Sequence, residues 1–539
     1  MKQAKKMQRF LSTGIAGLML LQSMSLPTFA AEGEPAAETP QYPYLDTSLS
    51  FEERATDLVS RMTLDEKVSQ MGNTMPAIPR LGVKSYQLWG EAIHGIWNLM
   101  NGCTENTTSF PTSIAMSCTW NPELLEQEAG MISDEARALT SLHGASLSYW
   151  SPTINLARNP LWGRNDESYG EDPFLTTKMG GAFVRGMQGE TEDGYLKVIS
   201  TLKHFAANNS ENNRFYGSAD IDDRDLFEYY TRSFKDIIET VGPKSVMASY
   251  NAINGLPNSV SHELLTEDLR HKWGFDGYVT SDDQALRFCY GSHKWSSAPD
   301  IAPSSYDTAQ AALKAGMDTV ASTNDFINNC KQLLEDGVIT EADIDRAVIR
   351  VFTERMATGE FDENYGPYGT IGGEELEAED HRATALEGSR EAIVLLENRD
   401  QTLPLNAGDL SGKKVAVIGQ FGKRVELGGY SGTPTHQMNV YEGVEKALDG
   451  SGAELAYDEG GVTTNEQPYV FNLDWMEFAF EDGTTKKIEA EQFDEKNGDE
   501  IISEGSHLGY IEDGDYTIYK DVDMGQIPIE SFEVRASAG

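Results

Sequence analysis

The sequence predicts an α/β protein built on a (β/α)8-type, TIM-like barrel, followed by a partial α/β sandwich domain and a partial all-β jelly-roll module. Three observations carry that prediction. First, residues 45–358 alternate short apolar runs with amphipathic stretches. Segments 148–156, 198–205, 246–251, 278–282 and 319–322 read as strands, and 176–188, 225–240, 262–273 and 307–315 as helices. Such repeated units imply a parallel sheet covered by helices, in a length that suits a barrel of roughly 250 residues or more. Second, several of these strands end in polar or ionisable residues: Arg158, Lys203-His204, Tyr250-Asn251 and Asp282. A barrel gathers such ends on one rim, where active sites are built. A doubly wound open sheet, the alternative, focuses its ligand at a single switch point. Third, the pattern changes twice downstream, which divides the remainder into two further units.

The chain of 539 residues begins outside the fold. Lys2, Lys5, Lys6 and Arg9 precede a short apolar run at 15–21, and Thr28-Phe29-Ala30 supplies small residues for cleavage. Residues 1–30 therefore read as an export signal and predict a secreted, extracellular protein. The apolar run is too short to span a bilayer. Loss of that segment removes four basic and no acidic residues, which takes the net charge from −43 to −47. So acidic a surface repels nucleic acid and anionic lipid, so neither nucleic acid nor a membrane is expected as a partner. The four cysteines, Cys103, Cys118, Cys289 and Cys330, lack a CxxC pair. Zinc spacing is absent, and export leaves three disulfide pairings open.

Residues 359–382 are acidic and Gly-rich, and read as a linker. A second α/β unit spans 383–467, with a helix expected at 383–396 and a strand at Lys414-Val415-Ala416-Val417-Ile418-Gly419. Gly419 and Gly422 stand alone there, so the fingerprint of a dinucleotide site is missing. From 474 to 539 short alternating segments such as Asp515-Tyr516-Thr517-Ile518-Tyr519 read as an all-β module.

The rim groups set the chemistry. They include Asp282, the cations Arg158, Arg164 and Lys203, the imidazole of His204, the phenol of Tyr250, and the carboxylates Glu91 and Glu167. There is no phosphate loop, no metal-ligand spacing and no GxSxG elbow. Carboxylates with bidentate donors suit a neutral, polyhydroxylated ligand. In glycosidic chemistry one carboxylate attacks or activates water while another protonates the leaving oxygen. The attacking group must stay ionised, and Lys203 and Arg164 are the cations placed to keep it so. Each residue also has a structural reading. Asp282 beside Asp283 is equally a loop or helix-cap carboxylate, and Lys203-His204 a buried pair fixing the rim. Glu171 and Asp172, in Gly170-Glu171-Asp172-Pro173, read as a turn and helix cap.

At these residues the chain resembles glycoside hydrolase family 3, the family of exo-acting β-glucosidases and β-xylosidases. The resemblance runs from about residue 50 to about 460 on five ordered motifs. These are Phe110-Pro111-Thr112 through Trp120-Asn121-Pro122; Trp162-Gly163-Arg164 through Gly170-Glu171-Asp172-Pro173; Lys203-His204-Phe205; Val246 through Tyr250-Asn251; and Gly274-Phe275-Asp276-Gly277 through Thr280-Ser281-Asp282. The resemblance implies a retaining double displacement with Asp282 as nucleophile. Arg164, Lys203 and His204 would hold the sugar hydroxyls, with Tyr250 beside the nucleophile. Glu91 stands where the family's β-glucosidases carry Asp, and its longer side chain would favour a pentose. The implied substrate is an oligosaccharide or polysaccharide with terminal β-linked xylose or glucose, and catalysis needs no cofactor. Asp283 departs from the Trp or Cys that usually follows the nucleophile. The family's KHFPGHG-type acid/base loop is replaced by Ala206-Ala207-Asn208-Asn209. The usual acid/base Glu, late in the second domain, is expected beyond residue 539, so this polypeptide alone is expected to turn over ordinary glycosides poorly. The β segment resembles a family 6 carbohydrate-binding module, which implies a structural calcium ion held with Glu489 and Glu491. A carbohydrate-binding protein on a glycosidase scaffold is the alternative function. The oligomeric state is not specified.

Overall fold

The computed structural model describes residues 42–97, 103–322, 324–460, 471–480, 484–493, 495–497, 502–503, 508–511, 516–519 and 529–538. Residues 1–30, expected as an export signal, lie outside them. Among the described residues no helix is long and apolar enough to cross a membrane.

Five strands, β1 (Ser148–Tyr149), β2 (Ile199–Phe205), β3 (Ser245–Ala248), β4 (Tyr278–Asp283) and β5 (Thr319–Ala321), form one parallel sheet in sequential order. Ser245 pairs with Tyr278 and Thr280 with Thr319. Sequential order leaves no switch point, which removes the doubly wound alternative. All seven residues of β2 are buried, as parallel strands covered on both faces require.

The sheet curls, and short segments link its two ends. Beyond β5, Gly72 bridges Val320 in parallel, and Leu88 N donates to Asn73 O at 2.8 Å. Beside β1, Trp150 N donates to Gly90 O at 2.7 Å. The eightfold strand–helix repeat is therefore corrected to five parallel strands among the described residues. An antiparallel pair, Thr74–Met75 with Tyr86–Gln87, occupies the circuit between. Pro76 and Pro79 lack the N–H a ladder needs, and Gly72, Gly82 and Gly90 weaken strand propensity across that stretch.

Helix boundaries follow local chemistry. The helix Phe51–Ser60 opens on a capping box of Ser50 and Glu53. The helix Pro173–Gln188 is capped by Asp172, whose carboxylate accepts from Leu175 N at 2.7 Å. The helix expected at 225–240 divides at a π-helical turn, Leu226–Tyr230, before Arg232–Val241.

Residues 359–382, expected as a linker, are instead a strap on the barrel. Asp362 pairs with the buried Arg54 and accepts from Tyr195 Oη at 2.6 Å. Glu377 N donates to Glu135 Oε1 at 3.0 Å, and His381 Nδ1 meets the same oxygen at 3.1 Å. The acidic composition that reads as solvated linker serves to neutralise a buried arginine.

The second unit is thinner. Its helix runs Glu379–Glu391 and stops short of 396. Ile393, Val394, Leu395 and Leu396 follow, 79, 55, 62 and 92% exposed. Strands β6 (Lys414–Ile418) and β7 (Glu454–Asp458) form a two-stranded parallel pair, with the helix Val440–Leu448 between them in sequence. Farther on, Phe471–Phe480 pairs antiparallel with Thr485–Glu489 and with Ile529–Ala538.

Candidate active site

Asp282 sits at the C-terminal end of β4, and the curl of the sheet brings the ends of β2 and β3 beside it. Its Oδ1 accepts from Asp283 N at 2.8 Å. Its Oδ2 is buried without a hydrogen-bond partner and lies 3.8 Å from His204 Nε2. Burial pushes this carboxyl above the ordinary aspartate value, against the pull of Arg214, Arg164 and Lys203. The three cations oppose the desolvation that burial imposes on the group.

His204 lies on β2, in surroundings that favour its neutral form. Burial, then Arg164 and Lys203, hold its imidazole well below the usual range. The tautomer follows from Asn155, whose Nδ2 donates to His204 O at 2.9 Å. Its Oδ1 therefore faces His204 Nδ1 at 3.0 Å as an acceptor, which places the ring proton on Nδ1. Nε2 then carries a lone pair. Two acceptors, Nε2 and Asp282 Oδ2, face one gap, an arrangement that receives a hydroxyl donor rather than an ion pair.

Two buried pairs frame that gap. Lys203 Nζ donates to Glu91 Oε2 at 2.8 Å, both side chains almost fully buried. Burial pushes the Glu91 carboxyl up to about 7 despite Lys203. Trp89 Nε1 donates to the other oxygen of Glu91 at 3.3 Å, and its ring stacks on Trp150 with centroids 4.9 Å apart. Arg164 grips Glu167 through two parallel bonds of 2.5 Å, and Thr153 Oγ1 donates to Glu167 at 3.1 Å. Burial alone would raise the Glu167 carboxyl, yet Arg164 holds it below the ordinary value. Tyr250 lies at the end of β3, edge-on to Phe215 at 5.1 Å, with the Arg214 guanidinium 4.9 Å from its ring centroid.

Of the eight rim groups expected from sequence, the structure gathers seven: Asp282, Glu91, Arg164, Glu167, Lys203, His204 and Tyr250. Arg158 is exposed and stands apart, over the Tyr230 ring at 5.2 Å. Glu489 pairs with Lys487 at 2.8 Å, and the side chain of Glu491 lies outside the described residues. Among the described residues no cluster of three or more metal-ligating side chains occurs.

Sequence reading missed two contributors. Arg214 lies in Asn212-Asn213-Arg214-Phe215, a loop without periodicity, where it pairs with Glu211 at 3.2 Å. Glu211 also accepts from Trp162 Nε1 at 2.9 Å. Tyr430 comes from the second unit, in the loop Gly428-Gly429-Tyr430-Ser431-Gly432. Lys203 Nζ stands 4.8 Å from its ring centroid, and Trp97 meets it edge-on at 5.5 Å. The glycine run was its one visible signal. The loop is pinned to the barrel: His94 Nε2 meets Gly429 O at 3.0 Å, and Ser109 Oγ meets Ser431 Oγ at 2.7 Å. Gly432 packs so closely that a Cβ there would lie 2.1 Å from Thr108 O.

Two family models match the chain, that of the glycosyl hydrolase family 3 N-terminal domain over residues 87–353 and that of its C-terminal domain over 393–510. A probable β-D-xylosidase 7 of Arabidopsis thaliana is 36% identical over 74% of this chain and 53% of its own length. A xylan 1,4-β-xylosidase of Xylanibacter ruminicola is 34% identical over 79% of this chain and 49% of its own. The chain spans about half the length of these curated relatives. Among solved structures, a family 3 exo-β-xylosidase bound to a xylobiose aziridine probe superposes with a TM-score of 0.71 at 33% identity, covering 79% of this chain and 55% of that one. The β-glucosidase 3B of Thermotoga neapolitana in complex with glucose follows at 0.60 and 28%, covering 75% and 55%. The two models together cover well over half of the sequence, and on that ground the chain belongs to glycosyl hydrolase family 3.

Proposed function

We propose that this chain is the sugar-binding and nucleophile-bearing part of a secreted, retaining exo-β-glycosidase that releases terminal β-linked xylose, and more slowly glucose, from plant-polysaccharide oligosaccharides. The observation that carries the proposal is Asp282 itself. Its unpartnered Oδ2 ends a barrel strand, held among Arg214, Arg164 and Lys203, and faces the lone pair of a neutral His204. An ionised Asp282 attacks the anomeric carbon, the aglycone leaves, and water later cleaves the glycosyl-enzyme ester. The sugar hydroxyls bind Lys203, Arg164 and His204. The names of the relatives support the xylose preference, as does the pocket wall of Glu91, roofed by Tyr430 through Lys203. Export rests on residues 1–30.

Glu91, Glu167 and Glu211 are each committed to a cation or an indole, so none of them is assigned the proton donor. The test therefore uses substrates that need no acid. Dinitrophenyl β-xyloside and β-glucoside are compared with their nitrophenyl counterparts on the full chain. Turnover of the dinitrophenyl xyloside above the glucoside is expected. A strong glucoside preference overturns the reading of Glu91. Binding of xylose without turnover of any dinitrophenyl glycoside replaces the hydrolase by a carbohydrate-binding protein.

A further inference from the structure

We infer that Asn155 is a positioning residue: its side-chain amide keeps a lone pair, not a proton, on the His204 nitrogen that faces Asp282. The inference rests on the reading of Asp282 as nucleophile, and adds a residue that acts only through His204.

The geometry starts in the backbone. Residues 151–154 run beside β2 as an irregular parallel continuation of β1. Thr201 N donates to Ser151 O at 3.0 Å, Lys203 N to Pro152 O at 3.1 Å, and Ile154 N to Lys203 O at 2.9 Å. At the next position a side chain takes over the ladder. His204 N donates to Asn155 Oδ1 at 2.7 Å, and Asn155 Nδ2 donates to His204 O at 2.9 Å. A primary amide can do this because it carries a donor and an acceptor side by side, as a peptide group does. A carboxylate lacks the donor, and a single hydroxyl lacks the second arm. These two bonds also decide which end of the amide is oxygen, an assignment that is otherwise open.

The state of the ring follows. Asn155 Oδ1 can only accept, so Nδ1 of His204, 3.0 Å away, carries the proton. Asn155 and His204 are both almost fully buried, which shields the bond from solvent. Burial, then Arg164, Lys203 and Arg214, keep a second proton off the imidazole, and Asp282 is the carboxylate that faces it. Nε2 is left as an acceptor, 3.8 Å from Asp282 Oδ2.

That placement matters to the nucleophile. A proton on Nε2 would make the ring a charge-assisted donor to Asp282 Oδ2, tying up the oxygen that attacks carbon. With the proton on Nδ1, Oδ2 stays unpartnered and a sugar hydroxyl donates to Nε2. Asn155 therefore holds the ring in place and leaves the nucleophile free.

Nitrogen-15 NMR of the histidine-labelled full chain reads the ring without substrate, and His204→Gln identifies its signal among the nine histidines. A neutral ring with its proton on Nδ1 is expected from about pH 5 to pH 8. Asn155→Ala, first checked by thermal melting, is expected to move that proton to Nε2. With a dinitrophenyl xyloside the same variant is expected to lose about tenfold in kcat. Its acid limb is expected to move to lower pH by about one unit, because the new donor favours the ionised Asp282. A loss of activity with the Nδ1 proton retained and the acid limb unmoved makes Asn155 purely structural and overturns the inference. A native ring protonated on Nε2, or on both nitrogens, overturns it as well. A native chain that turns over no dinitrophenyl glycoside strikes the hydrolase reading instead. In that case, or where Asn155→Ala does not fold, the ring state of the unaltered chain decides the role of Asn155.

Discussion

The barrel and the unit that follows it solve the same problem differently. In the curled parallel sheet every strand residue but Asp283 is buried and most rim side chains are partnered, down to the bidentate grip of Arg164 on Glu167. In the second unit a two-stranded sheet leaves Ile393–Leu396 and Ile418 largely exposed. Yet that thinner unit supplies Tyr430, and pins it with His94, Ser109 and the close seat of Gly432. On the proposed function the curled parallel sheet supplies the chemistry. The second unit supplies one wall, through a loop anchored on the barrel rather than through its own core.

Substitutions should therefore separate by region. On the proposed mechanism the largest effect is expected at Asp282: Asp282→Asn lowers kcat for a dinitrophenyl glycoside by roughly 10⁴-fold. Next comes Arg214→Ala, with a loss of about 10²-fold in kcat/KM. The sign of its pH effect is fixed. In the proposed mechanism Asp282 acts ionised; burial raises its carboxyl, and Arg214 is the strongest pull downward. Without Arg214 the acid limb of kcat/KM moves to higher pH, and a move to lower pH would break the electrostatic account.

Gly432→Ala tests the other region. A Cβ 2.1 Å from Thr108 O must displace the loop, and Tyr430 with it. KM for an aryl xyloside is expected to rise about tenfold with a smaller change in kcat, because a wall is lost and the nucleophile is not. A kcat loss as deep as that of Asp282→Asn would erase the division of labour. Hydrogen exchange sharpens it further: amides of β6 and β7 should exchange ahead of those in β2, which is buried along its whole length.

The smallest effect lies at the junction. Glu128 Oε1, where a Cβ on Gly388 would come within 2.4 Å, has no partner, and burial pushes its carboxyl up to about 9. A raised native value stabilises fully below the unfolded value and is lost as pH rises through the native one. Glu128→Gln should therefore gain about 2 kcal/mol at pH 8 and almost nothing near pH 5, read as melting temperature at the two values.

Two parts of the site were legible: the strand ends, and Glu91 and Arg164, which lie off the strands but within quoted sequence motifs. Lys203-His204 and Asp282 end buried apolar runs, so periodicity located them and the rim argument grouped them. Arg214 and Tyr430 sit on loops, where no period marks inward-facing positions and only tertiary packing decides. The strap 359–382 misled for a related reason, because acidic composition does not show that Arg54 waits buried across the fold. Expected strand 148–156 shortened to Ser148–Tyr149, with Pro152 lacking the donor to extend it.

The central claim is that Asp282 forms the covalent bond to sugar. Incubating the full chain with a dinitrophenyl 2-fluoro-xyloside, whose activated leaving group needs no proton donor, traps the glycosyl-enzyme for peptide mapping by mass spectrometry. The label is expected on Asp282, in the β4 peptide. A label on any other residue, or none with either the xylo or the gluco reagent, would contradict the assignment.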